Sequence, residues 1–140
     1  MMVRRLGIDD VHALSRLLEQ LGYPADDTSV LVRVQRLLAD DMTACWVAET
    51  AGEVVGLLTA QLAWTVESDS PVARLTALVV DEDHRGQGVA RHLTSKFEDW
   101  ARQQGAVHAT LNSGNHRDDA HAAYTHLGWQ PTGIRFVKNL

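Results

Sequence analysis

Apolar side chains along this chain change their spacing from region to region, and each change marks an element. Val11, Leu14, Leu17, Leu18 and Leu21 recur at helical spacing, which gathers them on one face of a helix. Asp9 or Asp10 can cap its start, and Gly22 stands where a helix ends. Met1 to Leu6 before it reads as a short first strand. Beyond the loop Tyr23-Pro24-Ala25-Asp26-Asp27, the stripe Val30, Leu31, Val34, Leu37 and Leu38 predicts a second helix, capped by Asp27 or Thr28. The pattern then turns to strands. Thr43 to Glu49 and Val54 to Leu62 are joined by Thr50-Ala51-Gly52-Glu53, the pattern of a β-hairpin. Trp64 to Pro71 is polar, acidic and ends in proline, hence a loop. Val72 to Val80 is another strand, and it feeds the glycine-rich stretch His84 to Arg91.

From Gly88 to about Gln104 a third helix turns Val89, Leu93, Phe97 and Trp100 inward, and Gly105 stops it. Val107, Ala109 and Leu111 alternate with His108, Thr110 and Asn112, which predicts a half-buried strand. Asn112-Ser113-Gly114-Asn115 is a loop. Asp118 or Asp119 caps a short helix with Ala120, Ala123, Tyr124 and Leu127 on one face, and Gly128 ends it. Trp129 to Val137 supplies one or two last strands. The order β-α-α-β-β-β-α-β-α-β predicts a mixed α/β domain of the α+β type. Its sheet is mostly antiparallel, with one parallel junction near the glycine turn.

Composition narrows this picture without changing it. At 140 residues, with no repeat or linker, one domain over residues 1–140 is expected. No apolar run reaches the length of a membrane span, and the first residues lack the apolar stretch of a signal peptide. Cys45 is the only cysteine, in an apolar strand-like run, so a buried thiol is expected there rather than a nucleophile. These features favour the cytoplasm and no membrane partner. A formal net charge of −5 argues against nucleic-acid binding as the main role. An anionic ligand would therefore need a local basic site, with Arg85, Arg91 and Arg117 as candidates. Among the seven histidines, His116, His121 and His126 are spaced by five, which does not align ligands on one helix face, so no metal is expected.

The candidate chemistry lies in His84-Arg85-Gly86-Gln87-Gly88-Val89-Ala90-Arg91. A strand enters a tight glycine turn through Asp81-Glu82-Asp83, and the turn opens a helix. Such a turn directs unpaired N–H groups and the positive helix end at one point, which suits phosphate. Arg85 adds a charge able to grip phosphate oxygens. A dinucleotide fingerprint would need a third glycine where Arg91 stands, and a P-loop would need Gly-Lys-Ser or Gly-Lys-Thr. An ordinary glycine-rich turn is the bland alternative.

The pattern Arg85, Gly88, Ala90 resembles the acyl-CoA pyrophosphate loop of the GCN5-related N-acetyltransferases. A second stretch, Ala120-His121-Ala122-Ala123-Tyr124-Thr125-His126-Leu127-Gly128-Trp129, looks like that family's alanine-rich helix with a tyrosine, then Leu-Gly and an aromatic residue. The element order resembles the family fold along nearly the whole chain. The resemblance implies two central strands that splay, with the pantetheine arm of acetyl-CoA against the backbone of Leu78, Val79 and Val80. It implies pyrophosphate on N–H groups of Gly86, Gln87, Gly88, Val89, Ala90 and Arg91, beside Arg85. Tyr124 matches the tyrosine that protonates the departing thiolate; its bland role is a satisfied core aromatic.

Two places depart from the family pattern. Arg117 stands where many relatives carry an asparagine on the cofactor arm, with Asn115 and His116 just upstream; Asn115 and Arg117 are the cofactor candidates there. Asn112 stands where relatives that acetylate protein N-termini carry a glutamate base, which disfavours that mechanism and favours a small-molecule amine. The resemblance puts the acceptor beside the loops Tyr23 to Asp27 and Trp64 to Ser70. Both are acidic and each carries one aromatic residue, so Tyr23, Trp64 and Glu67 are substrate candidates and Glu67 or Asp69 the candidate base, directly or through water; the bland alternative is ordinary solvated loop residues. His121 can border the site as a proton relay, or stand as a solvated or capping histidine. The expected reaction is direct acetyl transfer from acetyl-CoA in a ternary complex, with a second copy of the chain entertained as a homodimer partner. The rivals are a domain that senses acyl-CoA without turnover and an interaction domain with no cofactor.

Overall fold

The computed structural model describes residues 1–112 and 118–140. They fall into two compact units, Met1–Thr110 and Leu111–Leu140. In the first, strand β1 (Met2–Arg5) leads through a short 3-10 turn (Ile8–Asp10) into helix α1 (Val11–Leu21) and then α2 (Asp27–Ala39). Strands β2 (Thr43–Thr50), β3 (Glu53–Ala63) and β4 (Val72–Val80) follow. A second 3-10 turn (Glu82–His84) precedes helix α3 (Val89–Gln103) and strand β5 (His108–Leu111). The sheet runs β1-β2-β3-β4-β5, antiparallel through β4, with β5 parallel beside it. The mixed fold expected from the apolar pattern is the fold found.

Strand alternation sends adjacent side chains to opposite faces. Cys45, Val47, Leu57 and Val79 join Leu14 and Leu17 of α1 and Val30 and Val34 of α2 in one core. The intervening Trp46 meets Trp100 of α3 edge to face at 5.6 Å, and Arg5 of β1 lies 4.8 Å from the Trp46 ring. Phe97 and Leu93 of α3 are fully buried on this second face with Leu58. A sheet sandwiched in this way fixes both ends of β4 and the start of α3.

Local chemistry explains where the elements begin. Asp26 caps α2, its carboxylate accepting from Ser29 N at 2.8 Å, rather than the expected Asp27 or Thr28. Asp10 occupies the cap position of α1, but its carboxylate accepts from Gly7 N at 2.8 Å and from both Arg4 Nη groups at 2.9 Å. Of the α2 stripe, Val30 and Val34 are buried while Leu38 is 48% exposed, so the inward face is narrower than its leucines suggest.

Two expectations fail. His108 to Thr110 are exposed and Leu111 is intermediate, so β5 is not half-buried; among the described residues it is an edge strand with β4 on one side. The second unit holds helix α4 (Asp118–His126), but residues 129–140 form no strand. The observed order therefore ends β-α rather than β-α-β. Pro131 cannot donate to a ladder and Gly133 takes a φ of 153°, which leaves only Ile134 to Val137 as a run, and its Ile134, Phe136 and Val137 stay exposed.

Candidate functional site

The expected cofactor residues Leu78 to Val80 and Arg85 to Arg91 lie on one continuous strand, turn and helix start. Upstream of them β4 carries a bulge. Thr59 pairs with Ala77 and Ala60 with Leu75, so Thr76 is an extra residue without a partner on β3. Its hydroxyl lies 2.7 Å from that of Thr59, which is buried. Beyond the bulge Val79 is buried against the first core, and Leu78 and Val80 are half-buried.

The connector is held from behind. Asp81 is 3% exposed, and such a buried carboxylate needs partners. Its N–H donates to Val55 O at 2.8 Å. Its carboxylate accepts from Arg16 Nη1 at 2.5 Å, from Asp83 N at 3.2 Å and from Gln20 Nε2 at 3.4 Å. Arg16 also donates to Val54 O at 2.8 Å, and Gln20 Oε1 accepts from Glu82 N at 2.9 Å. Burial pushes the Asp81 carboxyl up, but the Asp83 N–H, Arg16 and Gln20 outweigh it and hold it below the usual carboxylate range.

The turn itself lies open. Arg85 to Gly88 are exposed, and Arg85 Nε donates to Val80 O at 3.4 Å, tethering the guanidinium beside the end of β4. Gly86 and Gly88 take φ of 76° and 83°, the left-handed region that a side chain disfavours. Gly88 is the N-cap of α3, and no acidic residue follows in the first turn. The first N–H groups of any helix lack partners within it. Here they follow an exposed turn with no Cβ at two positions, and Arg85 and Arg91 flank it in sequence. His92 N donates to Gly88 O at 3.1 Å, and His92 Nδ1 lies 2.7 Å from the same oxygen. A carbonyl only accepts, so Nδ1 carries the proton. The helix is seated by Val89, which is buried against β3 where Gly56 makes room: a Cβ on Gly56 would stand 2.8 Å from Val89 Cγ1.

The remaining candidates belong to other elements of the chain. Tyr23 is 67% exposed in the α1–α2 loop, and Trp64 is 68% exposed in the β3–β4 loop with exposed Glu67 and Asp69. Tyr124 and His121 are half-buried on α4 in the second unit. Asn115 and Arg117 lie outside the described residues. Among the described residues no group of three or more His, Cys, Asp or Glu is placed to hold a metal ion. An open cleft of about 410 Å³ beside α1 and the β2–β3 turn is lined by Arg4, Asp10, Arg16, Glu49 and Glu53. Those charges pair with one another, so the cleft offers a ligand little.

Sequence reading missed Asp81, Arg16, Gln20, Thr59, Thr76 and Gly56. Gly56 alone carried a signal, since a glycine inside a strand marks close approach by another element.

Comparison with known proteins decides the family. The model of the acetyltransferase (GNAT) family matches residues 11–129. The chain belongs to that family. This GNAT chain is 38% identical over 92 residues to N-acetyltransferase family 8 member 2 of Rattus norvegicus, covering 66% of the chain and 41% of that protein. It is 38% identical over 96 residues to N-acetyltransferase 8 of Mus musculus, covering 66% and 40%. The GNAT chain thus spans about two fifths of the length of these relatives. Among solved structures, a transcriptional regulator from Bacillus halodurans superposes with a TM-score of 0.90 at 18% identity, over 99% of both chains. An aminoglycoside N-acetyltransferase in complex with CoA superposes with a TM-score of 0.87 at 20% identity, over 99% of this chain and 93% of that one. These likenesses speak to the GNAT fold.

Proposed function

We propose that this GNAT chain moves an acetyl group from acetyl-CoA to the primary amine of a small molecule, by direct transfer in a ternary complex. The observation that carries the reading is the open turn at Gly86 and Gly88. Two left-handed glycines start α3 with no acid in its first turn, directly after a bulged strand. That donor set fits a pyrophosphate, and the backbone of Leu78 to Val80 then lies where an extended pantetheine arm can pair with it. The family match over 11–129 supports treating both units as one acetyltransferase domain.

Holding thioester and amine together removes translational freedom from the barrier, and strand N–H groups can polarise the thioester carbonyl. The amine nitrogen bonds to the carbonyl carbon, and the carbon–sulfur bond breaks. Tyr124 gives its hydroxyl proton to the leaving thiolate; this role rests on its motif. The amine proton passes to Glu67 or Asp69, directly or through water. Tyr23, Trp64 and Glu67 are the proposed acceptor contacts, and aromatic faces beside carboxylates favour a cationic amine. Neighbours named as aminoglycoside acetyltransferases, one in complex with CoA, fit a small cationic amine. Asn115 and Arg117 stay as proposed cofactor contacts. A homodimer and a cytoplasmic location belong to the same proposal, checked by sedimentation and cell fractionation; among the described residues no helix is long and apolar enough to cross a membrane.

The deciding experiment has two arms. CoA should raise the melting temperature, since a ligand that binds only the folded state stabilises it. Acetyl-CoA with a panel of cationic, neutral and anionic amines should release free thiol fastest with cationic ones, less so at high salt and in Glu67→Gln/Asp69→Asn. Stabilisation without thiol release on any amine would make the chain an acyl-CoA sensor. No stabilisation would remove the cofactor reading.

A further inference from the structure

We infer that Asp81 is the positioning residue of the phosphate turn, and that Arg16 and Gln20 of α1 act through it. The inference rests on the acetyl-CoA reading above. Residues 85–88 are exposed, and nothing lies within 4 Å of where a Cβ on Gly86 would stand. Packing therefore does not shape the turn from its own side. It is fixed from its two ends. Downstream, Val89 and Leu93 seat α3 against Gly56. Upstream, the chain is knotted at Asp81.

That knot sorts the backbone donors into two groups. Glu82 N goes to Gln20 Oε1, Asp83 N to the Asp81 carboxylate and His84 N to Asp81 O. These three amides face inward and are used. Among the described residues no hydrogen bond uses the N–H of Gly86, Gln87 or Gly88, and α3 leaves its first N–H groups open. The inward amides thereby set the direction of the outward ones. A carboxylate suits this task because it accepts from a backbone N–H, an amide and a guanidinium at once. Arg16 ties the same point to Val54 O of β3, and Gln20 stands two residues before Gly22, where α1 ends. Asp81 touches no ligand in this account. It acts through the backbone of residues 82–84, and α1 holds it.

The test uses the full chain with CoA and with pantetheine, which has the arm but no pyrophosphate. Calorimetry on Gln20→Leu and Asp81→Asn should show CoA affinity lowered about tenfold per folded molecule, as for losing hydrogen bonds to a charged group. Pantetheine affinity should stay level. Arg16→Lys keeps the charge and should fall between wild type and Arg16→Gln. A merely structural role would lower the melting temperature and leave CoA affinity of the folded fraction unchanged, and that result overturns the inference. Equal losses for CoA and pantetheine would overturn it too. If Asp81→Asn does not fold, the half-buried Gln20→Leu decides alone. If the wild-type chain binds no CoA, the cofactor reading fails first and this inference with it.

Discussion

Single residues at the glycine turn are constrained by backbone geometry more than by contacts. A Cβ on Gly88 would meet only the His92 ring, at 3.6 Å, which is ordinary contact. The obstacle is the φ of 83°, where a side chain costs about 1–2 kcal/mol. Arg85→Ala with Gly88→Asp removes a charge and sets a carboxylate against phosphate, so CoA binding should collapse while circular dichroism keeps its shape; unchanged affinity would sink the site. Tyr124→Phe removes one hydroxyl and little volume. Turnover should fall on the order of a hundredfold with CoA affinity nearly level, and equal turnover would return Tyr124 to a packing role. Cys45 is buried at 4% exposure, and burial pushes its thiol up to about 11. Alkylation at neutral pH should be slow until denaturant is added. At this scale the sequence was legible where the proposed site is contiguous: Arg85, Gly86, Gly88 and Ala90 lie within one hexamer. Asp81 was not, because its partners Arg16 and Gln20 lie 65 and 61 positions away, and no local pattern links them.

Elements were legible where a stripe met a core. The stripes of α1 and α3 placed both helices, and Val72–Val80 was bounded as found. Legibility failed where apolar runs lacked a partner. Ile134, Phe136 and Val137 look like a strand, yet a strand exists only by pairing, and none is formed there. The bulge at Thr76 was equally hidden, because it is a mismatch between two strands and belongs to neither alone. The seat of α3 on β3 yields a test at this scale. In Gly56→Ala the new Cβ would lie 2.8 Å from Val89 Cγ1 and 3.0 Å from Leu93 Cδ1, so these side chains, or the start of α3 that Val89 anchors, must shift. Overpacking of this kind costs about 1–3 kcal/mol. It should also weaken CoA binding, because the outward N–H groups belong to that turn. Denaturant midpoints and calorimetry on one preparation would check both, and a destabilised variant with unchanged CoA affinity would show that the seat does not aim the turn.

Two ion pairs with buried carboxylates connect parts of the first unit, and they set how the molecule responds to acid. Arg4 and Asp10 join β1 to the start of α1; Arg16 and Asp81 join α1 to the end of β4. The Arg4 guanidinium holds the Asp10 carboxyl below its usual range against the opposing effect of burial, helped by Gly7 N–H. Asp81 is depressed as well. Each carboxyl thus loses its proton more readily in the folded chain than in the unfolded one. The unfolded chain binds more protons as pH falls, so the stabilisation is complete above the unfolded value, about 3.9, and is lost as pH drops through the folded value. Exposed Asp26 and Asp27 are also depressed, by Ser29 N–H and by Ser15 and His12 respectively, but solvent and salt weaken such surface effects. Urea midpoints should therefore stay level between about pH 7 and 5 and fall steeply below about 4. Raising salt should trim this acid limb only slightly, since the two buried carboxylates carry most of it. Asp10→Asn with Asp81→Asn should lower stability at neutral pH and flatten the limb. An acid limb of the same depth in that double variant would place the proton-linked stability elsewhere in the chain.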